Sequence, residues 1–236
     1  MNSTSREHDV LYRIKRFLAA ARKRIVLVAA VFIGLFLLIL GGKAVVTADM
    51  ALFKIINTHH TAFFDRFFLF VSYLGNGWVM IPLFFVFLLW RLPKSRRIYI
   101  FVCAAVALSV SGLCNSAAKQ LVGRPRPSAY FVSPNMNTAT EEGRLYGVHV
   151  VGERLYNHSL PSGHANTAFT VATLTVIIFG IRFWPAFLVA MAVAYSRVYM
   201  GFHFPLDTLA GACIGSVIAL GVWYGAAIIA PQKHWS

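Results

Sequence analysis

Acidic side chains are scarce in this chain. Only 8 Asp and Glu stand against 22 Lys and Arg, and charged residues make up 13% of the 236 positions. A soluble domain carries roughly 25%, so an ordinary water-facing surface is excluded. The 20 Phe, within a composition that is 58% hydrophobic, exceed what a fold of this length can hide, and much of that apolar surface must face lipid. Cysteine is equally sparse. Cys103, Cys114 and Cys213 are odd in number, lie inside apolar segments and show no ligand spacing. That excludes both a disulfide framework and a zinc site. No internal repeat and no low-complexity tract is present.

What the chain does contain is a series of apolar runs. A membrane-crossing helix needs about 20 mostly apolar residues. Six segments meet that description: residues 25–42, 78–90 with an apolar lead-in over 67–74, 98–118, 164–181, 183–199 and 206–230. The fold class expected is all-α, a polytopic membrane protein with six transmembrane helices. Residues 1–24 form a separate segment, with Val10, Leu11, Ile14, Phe17, Leu18 and Ala21 at helical spacing beside Arg13 and Arg16. That pattern describes an amphipathic helix on the membrane surface. Leu52, Ile55, Ile56, Phe63 and Phe64 predict a second interfacial helix between the first two spans. Residues 25–236 then make up the six-span domain.

The net charge of +14 is compatible with nucleic acid, an anionic membrane surface or an anionic substrate. The basic residues occupy the gaps between apolar segments rather than one groove-like run, which favours the membrane over nucleic acid as partner. Thirteen of them fall on one side: seven before the first span, Arg91, Lys94, Arg96 and Arg97 after the second, Arg182 after the fourth and Lys233 after the sixth. The positive-inside rule places that side, with both termini, in the cytoplasm. The compartment that fits is a bacterial inner membrane. Nine basic residues remain on the outer, periplasmic side, more than topology alone explains.

Three polar blocks carry the chemistry. Lys119, Arg126 and Pro127 follow the third span; Pro161, Ser162, Gly163 and His164 precede the fourth; Ser196, Arg197, His203 and Asp207 bridge the fifth and sixth. Counting crossings, all three emerge on the outer face, although nothing in the strings themselves requires it. Arg presents a planar fork matched to phosphate, and Lys a compact charge. Ser162 caps a helix whose first N–H groups, around Gly163, form an anion site. His203 and Asp207, four apart with Pro205 between them, predict an imidazole backed by a carboxylate on one helix face. An imidazole so held is a competent nucleophile, and His164 is a second one, suited to protonating a leaving oxygen. Arg124 reads as an anchor or as the pocket rim. His59, His60, His149 and His158 read as interface or loop residues. The long polar stretch from Lys119 to Ser162, with Arg144 and Arg154, has the composition of a loop that shapes substrate choice.

At these blocks the sequence resembles the type 2 phosphatidic acid phosphatase family. Its three motifs are matched in order and spacing as Lys119-x6-Arg126-Pro127, Pro161-Ser162-Gly163-His164 and Ser196-Arg197-x5-His203-x3-Asp207. The resemblance implies a six-helix membrane lipid phosphatase that needs no metal and no cofactor. It implies His203 as nucleophile forming a phosphohistidine, Asp207 as its support and His164 as general acid and then base. Lys119, Arg126, Ser162, Gly163 and Arg197 would bind phosphate. Substrates to expect are phosphatidylglycerol phosphate, phosphatidic acid, undecaprenyl diphosphate or lipid A. Two rivals remain: a phosphotransferase using a lipid phosphate, and a transporter of a phosphorylated solute. Transporters show repeat symmetry and mid-membrane polar residues; here the polar residues cluster at span ends.

Overall fold

The computed structural model describes residue 34 and residues 42–131, 148–152 and 157–229. The amphipathic segment expected over residues 1–24, nearly all of the span expected over 25–42, and Arg144 and Arg154 lie outside the described residues. Among the described residues the chain is helical and forms no β-strand. The helices are α1 (Lys43–Thr58), α2 (Ala62–Leu74), α3 (Gly77–Arg91), α4 (Lys94–Val122), the short α5 (Pro127–Tyr130), α6 (Gly163–Phe179), α7 (Pro185–Tyr199) and α8 (Pro205–Ile229), with a 3-10 turn, Ile181–Phe183, before α7.

Local chemistry sets these boundaries. The Thr61 hydroxyl accepts from Phe64 N–H at 3.2 Å, with Asp65 in the first turn of α2. The Asn76 side chain accepts from Trp78 N–H at 2.9 Å to open α3. Both satisfy orphan donors of a helix start. Gly123 ends α4 in the left-handed conformation, and Pro185 and Pro205 stand in first turns where a missing N–H costs little.

Two sequence expectations change here. The second span and its lead-in are two helices, α2 and α3, bent by 59°, because Gly75 and the capping Asn76 interrupt the run. The interfacial helix expected through Leu52 and Phe64 is also divided. Leu52, Ile55 and Ile56 belong to α1, whereas Phe63 and Phe64 open α2, since Thr61 takes an extended conformation between them. On α1 the buried residues Asp49, Phe53 and Asn57 recur every fourth position, while Leu52 and Ile55 are exposed.

Three segments, Lys94–Tyr130, Ile181–Tyr199 and Pro205–Ala227, are long and apolar enough to cross a membrane, and the bent α2–α3 pair qualifies as one broken span. α6 is apolar but shorter, at 17 residues. Phe84, Leu88, Ile100, Ala104, Leu174 and Ala219 form the largest buried apolar cluster, joining α3, α4, α6 and α8. Outward-facing side chains are apolar too: Trp78 is 91% exposed and Leu121 86%, as suits a lipid-facing surface.

α6 and α8 make the most extensive helix pair, and small residues permit it. A Cβ on Gly211 would stand 2.3 Å from Ser162 O, and one on Gly215 2.4 Å from Asn166 O. Two glycines four apart let helix backbones approach closely where lipid supplies no hydrophobic drive. Between α4 and α6 the Ser111 hydroxyl donates to Asn166 Oδ1 at 2.8 Å and meets Thr170 Oγ1 at 3.0 Å. Gly211→Ala is expected to cost about 1–3 kcal/mol through overpacking, read as a lower unfolding temperature in detergent. An unchanged temperature would mean that the two helices part freely at this contact.

Candidate active site

The site is assembled around the turn from α7 to α8. Gly201 turns the chain at φ 77°, close enough to His149 O that a Cβ would meet it at 2.3 Å. His203 follows, its N–H donating to Arg197 O at 3.2 Å. It precedes α8 rather than sharing a helix face with Asp207, so the expected i, i+4 geometry is replaced by another. Asp207, third residue of α8, reaches back to accept from Phe204 N–H at 2.8 Å. That is the reciprocal half of a capping box, and it turns the carboxylate toward His203. Nδ1 of His203 and Oδ2 of Asp207 are 3.6 Å apart, longer than a hydrogen bond, and the buried Nδ1 has no hydrogen-bond partner among the described residues. Oδ2 also accepts from the Ser159 hydroxyl, and Oδ1 from Arg124 Nη1 at 2.8 Å.

The other ring nitrogen of His203 faces Arg126. Nη1 of Arg126 donates to Phe202 O at 2.9 Å and stands 3.4 Å from Nε2. A guanidinium only donates, so the proton belongs on Nδ1, toward Asp207, and Nε2 keeps its lone pair. The ring is 2% exposed. Burial pushes the His203 imidazole down to about 4; Asp207 opposes the shift, while Arg126 and Arg197 add to it. His203 is therefore neutral at pH 7 and stays so until pH falls through about 4. Titration of ¹⁵N-histidine-labelled protein by NMR should show this ring unprotonated at Nε2 at pH 6. A second proton taken up at the ordinary histidine value would contradict the assigned environment.

Around this imidazole stand the cations. Arg197, in the last turn of α7, donates to Ser72 Oγ at 2.5 Å and lies over the Phe202 ring, 4.3 Å from its centroid. Its buried Nε has no hydrogen-bond acceptor among the described residues. Lys119, in the last turn of α4, interacts electrostatically with Arg126, Arg197 and Asp207. His164, second residue of α6, feels Arg197, His203, Lys119 and Arg126. Ser162 caps α6, its hydroxyl accepting from Ala165 N–H at 3.5 Å, and its own N–H donates to Asp207 O at 2.8 Å. The N–H groups of Gly163 and His164 open the helix, where no intrahelical acceptor exists for them. A cavity of about 440 Å³ is bounded by His164, Arg197, Ser72, Tyr73 and Asn76. The three sequence blocks thus meet at one place, with two imidazoles, three cations and one carboxylate.

Four contributors escaped sequence reading. Ser72 supports Arg197, Asn157 accepts from Arg126 Nε at 2.8 Å, Ser159 donates to Asp207, and Asp49 on α1 accepts from Arg124 at 2.6 Å. Burial raises the Asp49 carboxyl above its ordinary value, with Leu206 N–H and Arg124 opposing the rise. Only Asp49 had a legible signal, as a carboxylate on the apolar side of an amphipathic run. His149, read as a loop residue, binds Asp65 at 3.0 Å and stacks on His60 with centroids 3.8 Å apart.

The family model described as the PAP2 superfamily matches residues 98–228, which contain all three blocks. The chain belongs to the PAP2 superfamily. Among PAP2 relatives, an undecaprenyl-diphosphatase of Sulfolobus acidocaldarius is 26% identical over 83% of this chain and 86% of its own length. A lipid A 4'-phosphatase of Bacteroides thetaiotaomicron is 31% identical over 71% and 72%. The crystal structure of a transmembrane PAP2-type phosphatidylglycerolphosphate phosphatase from Bacillus subtilis superposes with a TM-score of 0.66 at 19% identity, covering 89% of this chain and 98% of that one. That likeness establishes the fold, and the chain's own helices, long and apolar enough to cross a membrane, make it an integral membrane protein.

Proposed function

We propose that this PAP2 protein is a lipid phosphatase that hydrolyses a phosphate monoester or diphosphate through a phosphohistidine on His203. One observation carries the reading: Nε2 of the buried His203 ring stands 3.4 Å from Arg126, with Asp207 behind the ring at 3.6 Å from Nδ1. In the first step Nε2 attacks phosphorus in line and the bond to the leaving oxygen breaks. His164 gives that oxygen its proton, and Asp207 balances the charge gained by the His203 ring. Lys119, Arg126, Arg197 and the N–H groups of Gly163 and His164 hold the equatorial oxygens, so positioning and electrostatics supply most of the rate. In the second step His164 takes a proton from water, which attacks phosphorus and breaks the P–N bond, releasing inorganic phosphate. With three cations neutralising charge, the chemistry needs no metal.

The substrates named for the relatives are prenyl or acyl lipids with an exposed phosphate, and a site at helix ends suits such a headgroup. The topology that goes with this reading has residues 1–24 on the cytoplasmic surface, six spans over residues 25–236, and the site at the periplasmic face of an inner membrane. Phosphate release by purified protein in detergent, across phosphatidylglycerol phosphate, phosphatidic acid, undecaprenyl diphosphate and lipid A, tests it. Release from at least one of them without any added acceptor is expected. Turnover that requires a second alcohol would make the protein a phosphotransferase instead, and no turnover on any of them would overturn the reading.

A further inference from the structure

We propose that Asp49 and Arg124 form a positioning pair that orients Asp207 and sets the charge it presents to His203. The inference rests on the nucleophilic role proposed for His203 and extends it to an element, α1, that precedes the matched residues 98–228. Arg124 differs from Arg126 and Arg197 because both arms of its fork are committed to carboxylates. Nη1 meets Asp207 Oδ1 at 2.8 Å and Nη2 meets Asp49 Oδ2 at 2.6 Å. The guanidinium lies over the Phe204 ring, 4.2 Å from its centroid, which fixes its plane. Asp49 also accepts from Leu206 N–H with Oδ1 at 2.9 Å. It therefore grips the first turn of α8 twice, once through the residue before Asp207 and once through Arg124. Both its oxygens receive donors and its side chain is 1% exposed, the arrangement of a carboxylate held for a purpose.

The charge balance gives that purpose. Arg124 alone against Asp207 would cancel the negative charge that must support a ring becoming cationic as Nε2 bonds to phosphorus. A second carboxylate on the far side of Arg124 offsets this, so the trio Asp49, Arg124 and Asp207 retains one net negative charge behind His203. With Oδ1 of Asp207 held by Arg124, Oδ2, which also accepts from Phe204 N–H and the Ser159 hydroxyl, is the oxygen that approaches Nδ1, at 3.6 Å. A Lys at 124 has no planar fork and cannot span both carboxylates in this geometry.

The test measures kcat and KM for Asp49→Asn and Arg124→Lys on dioleoyl phosphatidic acid in detergent micelles, or on whichever lipid phosphate the wild type turns over. The same substitutions are made in an Asp207→Asn background, assayed with ³²P-labelled substrate. Each single variant is expected to lose about 10- to 100-fold in kcat, with KM within about 3-fold of wild type. In the Asp207→Asn background those losses should shrink to about 3-fold or less. Wild-type kcat in either variant, a raised KM with kcat kept, or an undiminished loss in the Asp207→Asn background would each overturn the pairing. The two residues sit on different elements, so one folded variant decides, and Asp49→Glu, expected to keep more kcat than Asp49→Asn, supplies a third. An inactive wild type, or an active His203→Ala, would instead remove the phosphatase reading on which the pairing rests.

Discussion

His203→Ala is expected to lower phosphate release by more than about 10⁴-fold while leaving a folded, membrane-inserted protein. The large effect follows from the site's construction. Arg126, Arg197 and Lys119 would still attract a phosphate, but the remaining imidazole beside them, His164, is the one proposed to serve the leaving oxygen. Among the described residues, only His203 has both a carboxylate behind its ring and a guanidinium at 3.4 Å from Nε2. The fold should survive the change, since the neighbours Phe202 and Phe204 supply the apolar packing at this turn. Three readings separate the outcomes: phosphate release, unfolding temperature, and ³²P retained on protein quenched at alkaline pH. Wild-type protein should carry the label and the variant none. Near-normal release by a folded variant would rule out His203 as nucleophile.

His164→Ala should produce the second-largest loss, and its size should depend on the leaving group. General acid catalysis contributes roughly 10² to 10⁴ in rate. An alkyl phosphate, whose departing alkoxide needs a proton, should suffer most of that range. An activated aryl phosphate, whose phenolate leaves unaided, should suffer much less in its first step. The same side chain is proposed to activate water in the second step, so the aryl substrate should show a burst of phenolate followed by slow turnover. Equal losses for both substrates, with no burst, would count against His164 as the acid. His164 borders the cavity together with Arg197, whereas His203 is enclosed at 2% exposure.

The fold and the site were legible to different depths. Span locations follow from apolar runs, and α4, α7 and α8 begin and end within a few residues of the expected bounds. The break between α2 and α3 was harder to foresee, because Gly75-Asn76-Gly77 is a short interruption in an otherwise continuous apolar run. Its effect depends on whether Asn76 caps the next helix, and it does. Crossing counts alone predict one shared face for the three motif blocks, and the structure brings residues of all three together around His203. Arg124 was not readable, since an arginine just past the end of a span reads as an anchor or as the pocket rim until its partners are seen. Ser72, Asn157 and Ser159 left no pattern at all; each is a common polar residue that matters through one contact.

By itself the sequence determined that this chain belongs in a membrane, and which residue types it brings to phosphate chemistry. Composition and motif spacing are local properties, and a scarcity of acids or an Arg-x5-His-x3-Asp interval is the same in any conformation. Only the tertiary structure decided that Arg197 lines the cavity while Arg124 is spent on carboxylates, and that His203 stands before α8 rather than on it. Those outcomes depend on distances between residues far apart in the chain, such as the 2.6 Å from Arg124 to Asp49. Such distances arise from helix packing, of which the close α6–α8 contact at Gly211 and Gly215 is one instance, and no one-dimensional pattern records them.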